Sequence, residues 1–589
     1  MADDSSFTAF RETSVSIGVL CLTWGFVYLI GLGEFPLLSW DEGVYAYIAE
    51  YGVRHGQWIV PTGLWSGTLG PFLEKPPLAF WIQEIFLWGL GHSVVAVRLP
   101  SALATLVIAL ATYLFVQRNY GETTGLLAGF FFLIIPHLFA GQNASRTAAV
   151  DLLFVCFGTL FVYWVLSFID GHSRTLIPAG LALAFAVLVK GFAAGIYAII
   201  LAPLVIARFR TFLTKETLRA AVVATAIVLP WPVYMYSRFG WEFVQEIFFE
   251  QVLGRAAGQG YSAGNALFSF MDYPFVKLLP VALDPLIYFL PQAVVVELYR
   301  VYKAGEDVGR AVFLVWWATC VPVFFAFAGN HHHYLFPMYP AVAILVARFA
   351  QRLINGDGLA RLSAVLGSVG ILLFSYRVPG LILSRIDVGY PIDTLETFVI
   401  GGTVPSGIGY VLTVLCGTVI VLGAGDPKTR GFVRKLSSSK DHLLRAGVLL
   451  ILLPGLAAPT AIVWPGGGAG ASWDAQQEQL AITINYHDDV INEEITLQNA
   501  LAESEPLFPF AFYAAPEIEI SSIENISTEY ALVRTHVLPK LTREYTVLSY
   551  VTNPEHGNVA LVAFESNRKE ESTAEYDVRT VQTDPNNTF

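Results

Sequence analysis

The sequence predicts a polytopic α-helical membrane protein of about 13 transmembrane helices that carries a small C-terminal α/β extracytoplasmic domain. Three observations predict it. The 589 residues are 55% hydrophobic and only 14% charged, with a mean hydropathy of +0.56, whereas soluble domains carry about 25% charge. Apolar runs of membrane-crossing length recur along the first 464 residues. The net charge of -12 is distributed unevenly: residues 465–589 hold 20 acidic and 6 basic residues, and the remainder holds 27 and 29. A single water-soluble fold, a disordered chain and a coiled coil are thereby excluded. The acidity also argues against a nucleic-acid partner, which needs a basic footprint.

A span needs about 20 mostly apolar residues. The runs that qualify are 14–33, 97–117, 123–140, 150–169, 175–189, 192–207, 218–237, 274–299, 311–328, 334–351, 361–376, 404–423 and 445–463. The first is too long for a signal-peptide core and lacks a small-residue cleavage site after it, so it is expected to stay as a span. With the N-terminus cytoplasmic, thirteen spans place the C-terminal domain outside the cell membrane. Nineteen Lys and Arg then fall on inner connections and ten on outer ones, as the positive-inside rule requires. The run 76–90 opens with Pro76-Pro77 and carries Gln83 and Glu84, so it is expected to lie along the outer interface and not to cross.

The division falls at 1–464 for the membrane body and 465–589 for the outer domain. The latter shows β-type runs at 481–486, 530–533, 545–551 and 559–564 around an expected helix near 489–502. It contains two sequons, at Asn525 and Asn586, and no cysteine. Arg outnumbers Lys by 25 to 10, and an acidic, Lys-poor surface is also one that suits high salt. The domain could bind acceptor glycan.

The outer loop 34–96 is long and aromatic, and it begins Trp40-Asp41-Glu42-Gly43-Val44-Tyr45. Asp41 is placed to cap a helix whose Val44, Tyr45 and Ile48 form one face. Two adjacent carboxylates at the mouth of a membrane body suit a general base or a hydroxyl ligand; a plain helix cap with a solvated acid is the alternative. The loop ends Glu74-Lys75-Pro76-Pro77-Leu78, where the prolines stiffen the chain and start a helix. Lys75 is thereby held where a lipid phosphate would lie, or else it snorkels at the interface.

Asp41-Glu42 with Tyr45, Gly56-Gln57-Trp58-Ile59-Val60-Pro61, Glu74-Lys75-Pro76-Pro77-Leu78 with Trp81, Gly91, and Arg98-Leu99-Pro100-Ser101 occur in order over about sixty residues. Together they resemble the aminoarabinose-transferase-like glycosyltransferases. These belong to the GT-C membrane enzymes and are relatives of the dolichyl-phosphate-mannose–protein mannosyltransferases. The resemblance continues through Arg146 with Asp151, Lys190-Gly191 and 248–255 to Tyr334-Leu335-Phe336-Pro337.

The resemblance implies that Asp41 is the catalytic carboxylate, with Glu42 beside it and Asp151 as the second acid. It implies that Glu74, Lys75 and Arg255 line a lipid-phosphate pocket, joined by Tyr45, His331 and Tyr334. Relatives usually place a Lys where this chain has His331, within His331-His332-His333. That triplet leaves a divalent metal or phosphate contact open, and successive residues rarely converge on one ion, which favours phosphate. No other cofactor is implied. Val44 replaces an Arg that aminoarabinose transferases tend to carry.

The expected activity is an inverting transfer of a sugar, mannose by preference, from a polyprenyl- or dolichyl-phosphate donor to a glycan, lipid or protein acceptor. A transporter or flippase of lipid-linked sugars is the competing class; it predicts internal repeats and ionisable residues at span centres, neither of which the sequence shows. An oligosaccharyltransferase would carry a WWDxG motif, whereas Trp316-Trp317 continues Ala318-Thr319.

Overall fold

The computed structural model describes residues 2–34, 36–38, 41–65, 68–139, 143–254, 279, 282–283, 286–304, 308–328 and 331–364. In the C-terminal part it describes 495–498, 518–521, 526, 530–541, 544–551 and 559–564. Six helical stretches among these are long and apolar enough to cross a membrane. The expected spans at 404–423 and 445–463, and most of 361–376, lie outside the described residues, as does the strand expected at 481–486.

Helix α1 (Ala2–Trp24) runs into one π-helical turn (Gly25–Leu29). It is tied to the bundle where the Trp24 indole donates to the Ala102 carbonyl at 2.7 Å and the Tyr28 hydroxyl to Leu133 at 2.9 Å. After it come α2 (Asp41–His55), an antiparallel hairpin of β1 (Thr62–Trp65) and β2 (Thr68–Pro71), then α3 (Leu78–Leu90). Thirteen residues of α3 extend ~20 Å, too short for a hydrocarbon core of ~30 Å. Ile85, Trp88 and Leu90 on it are exposed.

The bundle continues through α4 (Val94–Tyr120), α5 (Glu122–Leu133), the short α6 (Pro136–Phe139), α7 (Asp151–Ile169), α8 (Leu176–Lys190) and α9 (Gly195–Ala207). Helix α8 stops where Gly191 adopts φ +57°, a conformation that costs glycine little. Lys190, just before it, meets Asp151 at the start of α7. Arg208, just past α9, shares a cavity with Asp170 at the end of α7. Helices α8 and α9 therefore cross the bundle in opposite directions, as two runs and not one.

Then come α10 (Lys215–Val228), α11 (Pro230–Phe239), α12 (Trp241–Val244), a π-helical stretch (Gln245–Gly254), α13 (Leu290–Ala304), α14 (Val308–Ala328), a 3-10 segment (His332–Met338) and α15 (Tyr339–Ile354). Helices α8 and α10 approach closely: a methyl on Gly180 would meet the Ala220 carbonyl at 2.6 Å. Trp317, fully buried on α14, donates to the Pro337 carbonyl at 2.8 Å and so fixes the 3-10 segment that carries the histidines.

The C-terminal part forms a five-stranded sheet in the order β4 (Ile518–Ser521), β3 (Ile495–Gln498), β5 (Tyr530–Arg534), β7 (Val559–Phe564), β6 (Tyr545–Val551). Strand β3 is parallel to both neighbours, and β7 is antiparallel to β5 and β6. The three strands expected from 530 onward are present. The helix expected near 489–502 is not: residues 495–498 are a strand, because Ile495-Thr496-Leu497 pairs between β4 and β5 and tertiary pairing overrides a local helical reading.

Candidate active site

The site is organised by a loop, residues 143–150, every member of which is buried. Buried backbone must find partners, and here side chains from three helices supply them. Ser101 of α4 donates to the Ala149 carbonyl at 2.6 Å, Gln83 of α3 donates to the Ala148 carbonyl at 2.6 Å, and the Ala148 N–H donates to Glu42 of α2 at 2.9 Å. Thr105 adds a 2.6 Å bond to the Ser145 hydroxyl. The loop is thus held to the same tolerance as the helices around it.

At its head stands Asn143, the one non-glycine described residue with positive φ (62°); asparagine tolerates that region better than most residues. Its side-chain amide donates to Asp41 Oδ2 at 2.8 Å and to Asp151 Oδ2 at 3.1 Å. Asp41 opens α2 and Asp151 opens α7. Two helix N-termini, whose dipoles favour negative charge, therefore deliver two carboxylates to one amide. Asp151 is further paired with the Lys190 ammonium, and His333 Nε2 stands 3.9 Å from its Oδ1.

Asp151 also lines a cavity of about 310 Å³. Glu74, Lys75, Lys190, His333 and Tyr334 share its wall, and Phe154, Ile196 and Phe325 contribute apolar surface. Lys75 and Glu74 approach at 3.4 Å, and the Lys190 ammonium lies 5.2 Å from the Tyr334 ring centroid. A methyl on Gly191 would meet Pro76 Cγ at 3.8 Å, so the segment that carries Lys75 lies against the terminus of α8. The π-helical stretch contributes Ile247 and Gln251 to the wall. Beside them burial, reinforced by Glu250 and Glu74, pushes the Glu246 carboxyl up to about 7.

Five of the residues singled out from sequence are thus brought together: Asp41, Asp151, Glu74, Lys75 and Tyr334. Three others are placed differently. Glu42 faces away from Asp41 and is spent on architecture: it accepts from Arg98 Nε at 2.7 Å and Nη2 at 3.1 Å, and from the Leu38 N–H at 2.8 Å. Tyr45 packs in the core against Phe72 and Phe80, with ring centroids 6.3 and 5.8 Å away, because its helical register turns it inward. His331 is exposed at the rim, with its ring 5.4 Å from that of His333, and it is His333 that reaches the wall. Arg255 lies outside the described residues.

Sequence reasoning missed Asn143, Lys190 and His333 as site residues. For Lys190 a signal existed, a lone ammonium within a long apolar stretch. For the His triplet, which member faces inward is set by the 3-10 segment. His332 meets His137 of α6 at 2.9 Å, and His137 meets the Tyr339 hydroxyl at 2.5 Å. Among the described residues no three His, Cys, Asp or Glu side chains converge as a metal ion would require. Glu74 has Lys75 as its close neighbour instead.

Comparison with known proteins agrees with this architecture. The family model described as dolichyl-phosphate-mannose-protein mannosyltransferase matches residues 74–236. An undecaprenyl phosphate-alpha-4-amino-4-deoxy-L-arabinose arabinosyl transferase of Proteus mirabilis is 26% identical over 354 residues, covering 58% of this chain and 60% of its own length. A protein of the same description from Pseudomonas aeruginosa is 27% identical over 398 residues, covering 65% and 68%. The alignments thus span about three-fifths to two-thirds of these relatives. Among solved structures, ArnT from Cupriavidus metallidurans bound to undecaprenyl phosphate superposes with a TM-score of 0.62 at 16% identity, covering 93% of this chain and 97% of that one. The oligosaccharyltransferase of Archaeoglobus fulgidus gives a TM-score of 0.50 at 12% identity. In sequence the chain is thus similar to these arabinosyl transferases, and in fold it is similar to ArnT and to the oligosaccharyltransferase.

Proposed function

We propose that the protein is a membrane glycosyltransferase that moves a sugar from a polyprenyl-phosphate donor to an acceptor hydroxyl on the outer face of the membrane. The observation that carries this reading is the double role of Asp151. It lines the Lys75–Lys190 cavity and is held, through Asn143, to Asp41.

In the proposed reaction the donor's phosphate sits against Lys75 and Lys190. Asp41 takes the proton from the acceptor hydroxyl as its oxygen bonds to the anomeric carbon. The bond from that carbon to the phosphate oxygen breaks, and polyprenyl phosphate leaves from the opposite face with inversion, through an oxocarbenium-like state. The two ammonium groups stabilise the growing phosphate charge, the electrostatic contribution that usually dominates catalysis. Relatives are named for undecaprenyl-phosphate aminoarabinose and for dolichyl-phosphate mannose. Val44 departs from the aminoarabinose pattern, and mannose is the sugar we propose.

The test offers the purified protein a panel of polyprenyl-phosphate sugars and measures release of polyprenyl phosphate. Asp41→Asn should abolish release with every sugar while the protein still inserts and folds. Near-normal turnover by that variant would remove Asp41 from the role of base, and no release from any donor would sink the transferase reading.

A further inference from the structure

Three polar side chains form a file that ends beside the two carboxylates. The Tyr339 hydroxyl, at the start of α15, meets His137 Nδ1 at 2.5 Å, and His137 Nε2 meets His332 Nδ1 at 2.9 Å. Tyr339 is fully buried and His137 nearly so, so their polar atoms must find partners within the protein. His332 is half-buried, and the charges of Asp41 and Asp151 both reach it.

The file has a direction. The Tyr339 hydroxyl has His137 as its one hydrogen-bond partner among the described residues. A phenol that only accepted there would leave its own proton buried without an acceptor, a costly state. The hydroxyl therefore donates to His137 Nδ1. A neutral imidazole carries a single N–H, so His137 holds its proton on Nε2 and donates it to His332 Nδ1. His332 in turn holds its proton on Nε2, the ring nitrogen without a partner among the described residues. The network assigns these tautomers. An imidazolium at His332 would have to donate from Nδ1 as well, which would reverse the file and strand the phenolic proton.

Asp151 lines the donor cavity, whereas Asp41 and His332 stand outside it. With the donor phosphate held by Lys75 and Lys190, that is the side left for the acceptor. An attacking hydroxyl has one proton and two lone pairs. The proton goes to Asp41, one lone pair forms the bond to the anomeric carbon, and the other lone pair calls for a donor. We propose that His332 is that donor, a catalytic residue whose Nε2–H orients the acceptor hydroxyl, with His137 and Tyr339 as the positioning residues that fix its tautomer. His332 keeps its proton throughout, so the only proton transferred is the one that Asp41 takes. The substrate contact rests on the transferase reading; the direction of the file does not.

The experiment compares the full-length parent and its variants in detergent by polyprenyl phosphate release and by nitrogen NMR of isotope-labelled histidine, with melting followed alongside. His332→Phe should lower kcat about tenfold, the loss of one hydrogen bond, and leave the donor KM unchanged because the donor cavity is untouched. His332→Gln, whose amide accepts from His137 and still donates, should recover most of that rate. In the parent spectrum His332 should show a protonated Nε2 and an unprotonated Nδ1, identified as the signals that His332→Phe removes. Tyr339→Phe keeps the ring but removes the phenolic proton, and an unprotonated Nε2 should then appear beside the protonated one. Should His332→Phe melt early, the Gln rate and the Tyr339→Phe spectrum carry the test. Parent-like kcat in His332→Phe would overturn the proposal, as would a change confined to the donor KM. So would a His332 protonated on Nδ1, or a His332 spectrum that Tyr339→Phe leaves unchanged. No release by the parent from any donor would instead sink the transferase reading, and the substrate contact with it, while the spectra still judge the file.

Discussion

Replacing Asn143 by glycine isolates what its side chain does. The backbone at φ 62° suits glycine, so the loop keeps its path while both carboxylate contacts, at 2.8 and 3.1 Å, disappear. Hydrogen bonds to charged groups contribute about 1.5–3 kcal/mol each. Asp151 retains Lys190, so the lower bound applies, about 3 kcal/mol for the pair. If that energy serves to hold Asp41 and Asp151 in reacting position, kcat/KM should fall about 150-fold. The assay is steady-state release of polyprenyl phosphate from a labelled donor, with circular dichroism melting alongside. Asn143→Ala should lose the same rate and be about 1 kcal/mol less stable than Asn143→Gly, because alanine keeps a Cβ strained at positive φ that glycine lacks. A glycine variant within about threefold of the parent in kcat/KM would refute the idea that the amide positions the two acids.

Three further outcomes are expected. Glu246 ionises as pH rises through about 7 and then adds negative charge beside Glu74 and Glu250. The KM for the phosphate donor should therefore rise between about pH 6 and 8, and Glu246→Gln should flatten that profile. Burial pushes the Glu84 carboxyl up to about 8, and its Oε2 has no hydrogen-bond partner among the described residues. Stability from its protonated form is fully present below its ordinary value near 4.5 and is lost as pH rises through about 8. Glu84→Gln should accordingly melt higher than the parent above about pH 8, by on the order of 2–4 kcal/mol, with the gain gone near pH 5. Lys190→Gln removes an ammonium from the cavity wall and should raise the donor KM about tenfold with a smaller change in kcat; an unchanged KM would show that the phosphate lies elsewhere.

The helical class, the short helix α3 and the strands β5 to β7 were legible because each rests on local pattern: run length, a Pro-Pro start, β-branched alternation. Asp41, Asp151, Glu74 and Lys75 were legible through ordered motifs. What escaped was decided by tertiary geometry. Asp41 and Glu42 are adjacent acids, yet one step along a helix turns a side chain by about 100°, so one faces the site and the other a buried arginine. Nothing local to Gly141-Gln142-Asn143 announces that Asn143 bridges two acids 102 and 8 residues away. Strand β3 was read as helix because its partners lie beyond any short window.

The Glu42–Arg98 pair has a consequence for how this sequence can drift. Both side chains are almost wholly buried, and stranding either charge costs about 3–5 kcal/mol, a large part of a typical protein's stability. A mutation at one position is therefore survivable chiefly in a background already altered at the other, and the two sites are inherited as a unit. Asp41, one residue away, has the neutral Asn143 amide as its partner, and under the proposed mechanism no change there could stand in for its carboxylate. Two neighbouring acids of identical charge thus follow different evolutionary rules, the first fixed and the second exchangeable in concert with a residue 56 positions downstream.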